Sequence, residues 1–167
     1  DYPENEVATQ LWFDQHLKRA FTWPKTPETA LELKTEKGIP ALTIRPDTSR
    51  PILGVEVYYT QQGFDDGDRQ RRENRMARFW HYAEAIKTGE VWTANLPVFS
   101  SEMPLWVFAN VIYPLDEPIT AAGYYYGSYT TDKFNLSSLI QLIEPAELKA
   151  ASVQATLKPN TAIESFE

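Results

Sequence analysis

Three aspartates, Asp65, Asp66 and Asp68, crowd around Gly67 in the stretch FDDGDRQRRENRMARFW, residues 64–80. Carboxylates so spaced can begin an oxygen cage for calcium, which takes about six to eight oxygens and commonly closes with a bidentate glutamate. Here the ligand set stops short, and Arg69, Arg71, Arg72 and Arg75 follow with charge that competes with a cation. The segment reads more simply as a charged hairpin loop whose acids and bases pair with one another. Histidine chemistry is equally sparse. His16 and His81 are the two histidines, and neither has around it the carboxylate and serine that a nucleophilic triad requires. Two isolated histidines do not make a zinc site. Gly123 and Gly127 have the end spacing of a nucleophile elbow, but tyrosines fill the positions between them. Carboxylate pairs of the glycosidase type have many candidates in so acidic a chain, and none stands out. No catalytic residue, resident metal or cofactor is assigned.

Aromatic side chains give the one positive hint. Trp80, Trp92 and Trp106 fall in expected strands, and Tyr124, Tyr125 and Tyr126 form a run in another. Rigid rings exposed in a row can stack on sugar rings at little entropic cost. Trp80, Trp106, Tyr124, Tyr125 and Tyr126 are therefore the candidate ligand-binding residues, with polysaccharide as the ligand. The simpler expectation is cross-strand packing, which aromatic strands do anyway. Alternation divides the tyrosines, with Tyr125 on one face and Tyr124 and Tyr126 on the other.

These residues need elements to hold them. EVATQLWFDQHLKRAF, residues 6–21, has helical periodicity, with Val7, Leu11, Phe13, Leu17, Ala20 and Phe21 on one broad face and Trp12 outside it. Pro24 and Pro27 then mark a stiff linker. From residue 30 onward, short strand patterns alternate with turn signals. LELKTEKGIPALTIRP reads as two strands about a turn, and ILGVEVYYT sets Val55, Val57 and Tyr59 against Glu56, Tyr58 and Thr60. RFWHYAEAI, KTGE and VWTANLP read as a hairpin, LWVFANVIY as a central strand, and ITAAGYYYGSY and SLIQLI as further strands. PAELKAA, residues 145–151, opens a helical turn on its proline. The expected fold is mainly β: an immunoglobulin- or fibronectin-III-like sandwich with an N-terminal helix and a short C-terminal helical turn. Three regions are expected: a terminal helix and linker over 1–29, the sandwich over 30–144, and a helical turn leading into a further module over 145–167.

The 167 residues suffice for one domain, and the net charge of −7 disfavours nucleic acid and anionic membrane as partners. No apolar run reaches the length of a membrane span. The absence of cysteine excludes disulfides and thiol chemistry. The triplet NLS at 135–137 matches a glycosylation acceptor, a pattern too common to carry weight.

WFDQHLKRAFTWPKTPE resembles the last helix and exit linker of bacterial α/β-hydrolases. The elements that follow, VEVYYT, RFW, GEVWTANLP and PLWVFANVIY, are similar to the immunoglobulin-like segment trailing some secreted members. The groups concerned are the dienelactone hydrolase and acetyl-xylan esterase relatives and the PhoPQ-activated pathogenicity-related proteins. AIESFE is similar to the opening strand of a further jelly-roll domain. The resemblance implies a non-catalytic accessory sandwich of a secreted or periplasmic bacterial hydrolase, with the catalytic domain as its partner in cis. No catalytic residue of those hydrolases carries over, because the nucleophile elbow, oxyanion-hole glycines and histidine have no counterpart here. Two other functions stand beside it: a carbohydrate-binding module that targets a hydrolase to polysaccharide, and a carboxylate-based hydrolase.

Overall fold

The computed structural model describes residues 3–61, 79–123 and 127–158. Within them the chain is mainly β, with two antiparallel sheets facing each other as a sandwich. The four-stranded sheet runs in the order β1-β2-β6-β5, built from β1 (Glu28–Glu32), β2 (Ala41–Arg45), β6 (Val91–Asn95) and β5 (Ile86–Thr88). The five-stranded sheet has the order β4-β3-β7-β8, from β4 (His81–Glu84), β3 (Gly54–Thr60), β7 (Leu105–Gly123) and β8 (Gly127–Ser137). A short β9 (Gln141–Ile143) also pairs with β7, across Leu105 to Val107.

Alternation explains the layering. On β3, Val55, Val57 and Tyr59 turn inward, and on β7 Leu105, Val107, Ala109, Val111 and Tyr113 do the same. Leu42, Ile44 and Ala94 of the facing sheet meet them in one continuous core. Two side-chain contacts fasten the layers. Gln141 Nε2 donates to Thr29 Oγ1 at 2.7 Å. The buried Gln61 accepts the Phe99 N–H at 2.6 Å and donates to the Ser100 carbonyl at 2.6 Å, so the loop entering β7 is held by the end of β3.

β7 and β8 continue past the other strands as a long ribbon, with a register shift between Pro114 and Ile119. Pro114 and Pro118 suit that shift, since proline cannot donate to a ladder. Tyr113 and Phe134 stack there on the inner face, ring centroids 5.6 Å apart. The four-stranded sheet does not cover this part. Helix α1 (Pro3–Phe13) does, packing on β7 and β8 through Val7 and Leu11, which are 3% and 2% exposed. Phe21 and Trp23 close over Phe134 edge-on at 5.5 and 5.3 Å. The Arg50 guanidinium lies 4.7 Å over the Phe21 ring and is bidentate to Asp116 at 3.1 and 3.2 Å. The opening helix therefore shares one hydrophobic core with the two sheets.

Several expected elements are revised. The α-helix is prolonged by a π-helical turn over Asp14–Lys18 and stops at Arg19, which has a left-handed φ of 55°. Within α1 only the Val7–Leu11 side meets the sheet, so Phe13 is exposed; beyond it the wider turn and the stop at Arg19 break the 3.6-residue phase, leaving Leu17 and Ala20 exposed while Phe21 is buried. RFWHYAEAI is not one strand of a hairpin. The chain changes sheets at Ala85, so that β4 pairs with β3 and only β5 pairs with β6. ITAAGYYYGSY is split, because Gly123 ends β7 and Gly127 begins β8, the two glycines being paired. SLIQLI is strand only at its last three residues. PAELKAA is helical as expected: α2 (Pro145–Ala150) opens on its proline, with a reciprocal capping box between Glu144 and Glu147. The segment after it is tied back by Gln154 N–H to the Gly38 carbonyl at 2.8 Å and Thr156 N–H to the Val98 carbonyl at 2.9 Å.

Candidate functional site

The register of β4, β3 and β7 assembles an aromatic face on the side of the sheet turned away from the core. Tyr58 is the direct cross-strand partner of both Tyr82 and Phe108. The rings follow the backbone: Tyr58 and Phe108 stack at 5.7 Å, and Tyr58 and Tyr82 meet edge-on at 5.9 Å. Trp80, just before β4, packs edge-on against Phe108 at 5.1 Å. Trp106 lies two residues before Phe108 on the same face, opposite Thr60 and Leu142. Tyr82 is 58% exposed and the other four rings are half-buried. None of the five belongs to the core cluster or packs against it.

A polar row borders these rings. Glu56 lies between Glu84 and Asn110 as the cross-strand partner of both, and Asn110 in turn opposes Ser137. The Tyr58 hydroxyl donates to Glu56 Oε2 at 3.0 Å, and burial, aided by that carboxylate, raises the phenol above its ordinary value. Ser137 Oγ donates to Asn110 Oδ1 at 2.7 Å, which directs the amide nitrogen elsewhere. Two like charges opposed on neighbouring strands are unfavourable in themselves. Their row therefore presents acceptors toward the solvent.

Of the candidate ligand-binding residues, Trp80 and Trp106 are brought together on this face. Tyr124, Tyr125 and Tyr126 lie outside the described residues, as do Asp65, Asp66 and Asp68. Tyr58, Tyr82 and Phe108 complete the platform and were not among the residues singled out from the sequence. The alternation in VEVYYT already places Tyr58 on the face of Glu56, but only pairing reveals that Tyr82 and Phe108 flank it. Trp92 is elsewhere, in β6, with the Lys87 ammonium 5.8 Å from its ring.

The two histidines serve different surroundings. His81 points to the inner side among Tyr59, Phe79 and Phe99, at ring distances of 5.2, 4.8 and 5.4 Å. Burial among rings disfavours the imidazolium and lowers its pKa. Burial likewise pushes the Tyr59 phenol up to about 12. His16 sits on the exposed side of α1, 4.6 Å from the Trp12 ring. That side carries Trp12, Phe13 and Leu17 at 50%, 45% and 70% exposure, so the helix is apolar on two sides and buried on one.

A small cavity of about 160 Å³ lies between α1 and β8, lined by Val7, Trp23, Tyr129, Lys133 and Phe134 among others. Among the described residues no group of three or more acidic or histidine side chains could hold a metal ion, and no helix is long and apolar enough to cross a membrane. Comparison with protein families, curated proteins and solved structures finds no match to this chain.

Proposed function

We infer that this chain is a non-catalytic accessory β-sandwich, immunoglobulin- or fibronectin-III-like in type, of a larger secreted or periplasmic bacterial hydrolase. Its role is structural: it packs against the catalytic domain in cis and fixes that domain's last helix. The observation that carries this reading is the two-sided helix α1. Val7 and Leu11 bind it to the sandwich core, while Trp12, Phe13 and Leu17 leave a second apolar side uncovered. An exposed side of that kind is favoured where a neighbour covers it. The resemblance of WFDQHLKRAFTWPKTPE to the closing helix of α/β-hydrolases supplies the neighbour's identity. A carboxylate-based hydrolase is less well supported. Glu56 and Glu84, which oppose each other on neighbouring strands, stand on the outer sheet face, where among the described residues no enclosed cleft excludes water to raise one carboxyl as a general acid.

The test uses the chain as it is encoded, with its natural flanks. Replacing Trp12, Phe13 and Leu17 together by serine is expected to leave the sandwich folded and to loosen it from the neighbouring domain. Limited proteolysis between the neighbouring domain and α1, faster by at least tenfold in the variant, reports that loosening. Unchanged proteolysis would remove the docking role.

A further inference from the structure

We propose that the outer face of β4, β3 and β7 is a binding platform for a polysaccharide of neutral sugars, with Tyr82, Tyr58, Phe108 and Trp80 as the stacking surface; Trp106, whose ring N–H is buried beside the buried Thr60, closes its end. This inference rests on a surface separate from the exposed side of α1. Tyr82, Tyr58, Phe108 and Trp80 stand on one face without contributing to the core, although aromatic residues bury more apolar area than most and are normally placed inside. Their arrangement suits an extended ligand. Tyr82, Tyr58 and Phe108 occupy three adjacent strands in register, which at about 4.8 Å between strands places the ends of the row about 10 Å apart. That is the reach of a short run of linked sugar rings, whose C–H faces stack on aromatic rings while their hydroxyls point sideways. The sideways positions are met by Glu56, Glu84 and Asn110, which supply acceptors and an amide donor along one border.

The same border selects the ligand class. A protein partner lying over this face would bury Glu56 and Glu84 together, and desolvated carboxylates need cations or several donors to compensate. Sugar hydroxyls donate to those carboxylates while leaving them largely hydrated. A uronate polymer would bring its own negative charge against the pair and against a chain of net charge −7. Neutral polymers meet neither obstacle.

The experiment is affinity electrophoresis of the purified chain through gels containing hydroxyethyl cellulose, arabinoxylan, galactomannan, mixed-linkage β-glucan or polygalacturonate. Retardation by at least one neutral polymer and none by polygalacturonate is expected. Tyr82→Ala, at an exposed position that leaves the core intact, should reduce the affinity at least tenfold. Glu56→Gln should weaken neutral-polymer binding at least threefold without creating binding to polygalacturonate. Trp12→Ala on α1 should change nothing, which separates this proposal from docking of the helix. If Tyr82→Ala binds as the parent does, the platform is not the site. Migration unaffected by every neutral polymer, with circular dichroism showing a folded chain, would overturn the proposal, as would preferential retardation by polygalacturonate.

Discussion

Helix α1 gives the sharpest quantitative prediction, because two consecutive residues on it should behave oppositely. Leu11 is 2% exposed and packed into the common core, whereas Trp12 beside it is 50% exposed. Leu11→Ala removes a buried isobutyl group, a change that costs about 2–5 kcal/mol depending on how far the surroundings collapse. Collapse is limited here. One turn away lies the cavity of about 160 Å³ bounded by Val7 and Phe134, and the β7–β8 ribbon beneath is hydrogen-bonded along its length. The loss should therefore fall near the middle of that range, about 3–4 kcal/mol. For a chain of this size each kcal/mol lowers Tm by about 2–4 °C, so a fall of roughly 6–16 °C is expected. Trp12 contacts Phe13 and His16 of its own helix, and Trp12→Ala should cost under about 1 kcal/mol despite removing the larger side chain. Urea unfolding followed by far-ultraviolet circular dichroism measures both without relying on the mutated fluorophore. A Leu11→Ala loss below about 1 kcal/mol, or a Trp12→Ala loss exceeding it, would mean that α1 does not pack by its Val7–Leu11 side.

Acid should weaken the fold in two stages. His81 has a lowered pKa from burial, so the unfolded chain binds its proton first and stability declines as pH falls through about 6.5. His81→Phe should flatten the change in urea midpoint between pH 7.5 and 5, and an unaltered slope would assign that stage to other groups. The Asp47 carboxylate is held low chiefly by the Lys25 N–H and then the Ser49 N–H. Its contribution is present above about pH 3.9 and disappears as pH drops through the lowered value, giving the second stage. Gln61→Leu should cost about 2–3 kcal/mol by orphaning the Phe99 and Ser100 backbone groups, and a neutral result in chemical denaturation would show that water replaces the latch. Gly38 and Gly89 both have left-handed φ, at 66° and 63°, but a Cβ on Gly38 would come 2.6 Å from Gln154 Cγ whereas Gly89 meets nothing within 4 Å. Gly89→Ala should cost about 1 kcal/mol and Gly38→Ala about 1–3 kcal/mol more, with Gln154→Ala narrowing the gap; equal losses would contradict the close approach.

Strand faces were legible where alternation is strict. VEVYYT divides into buried Val55, Val57 and Tyr59 and a part-exposed set of Glu56 and Tyr58, but Thr60, expected with that set, is buried; the apolar LWVFANVIY is flanked by strands on both edges. Connectivity was less so. Nothing in HYAEAI signals that the chain leaves one sheet at Ala85 and joins the other; that crossing is fixed by the pairing of β4 with β3, distant in sequence, against the local hairpin of β5 with β6. The π-helical turn is similarly silent, since DQHLK has ordinary helix-forming composition; only beyond Arg19 does the chain lay Phe21 and Trp23 over Phe134. Two of the five rings on this face, Trp80 and Trp106, were visible. Tyr82 and Phe108 resembled ordinary strand aromatics until register placed them on either side of Tyr58. The Tyr113–Phe134 stack joins residues from the two ribbon strands, and TDKFNLS carries too many polar residues for its strand to be anticipated.

Hydroxyl-radical footprinting, read by mass spectrometry on this chain alone and on the longer protein that the accessory role requires, tests that role most directly. Trp12, Phe13 and Leu17 should be readily oxidised in the isolated chain and protected at least fivefold in the longer protein. Tyr82 should react similarly in both, since its face is proposed to meet polysaccharide and not the neighbouring domain. Equal oxidation of Trp12, Phe13 and Leu17 in the two samples would contradict the account. A helix with no neighbour over its second apolar side cannot be the joint between this sandwich and a catalytic domain.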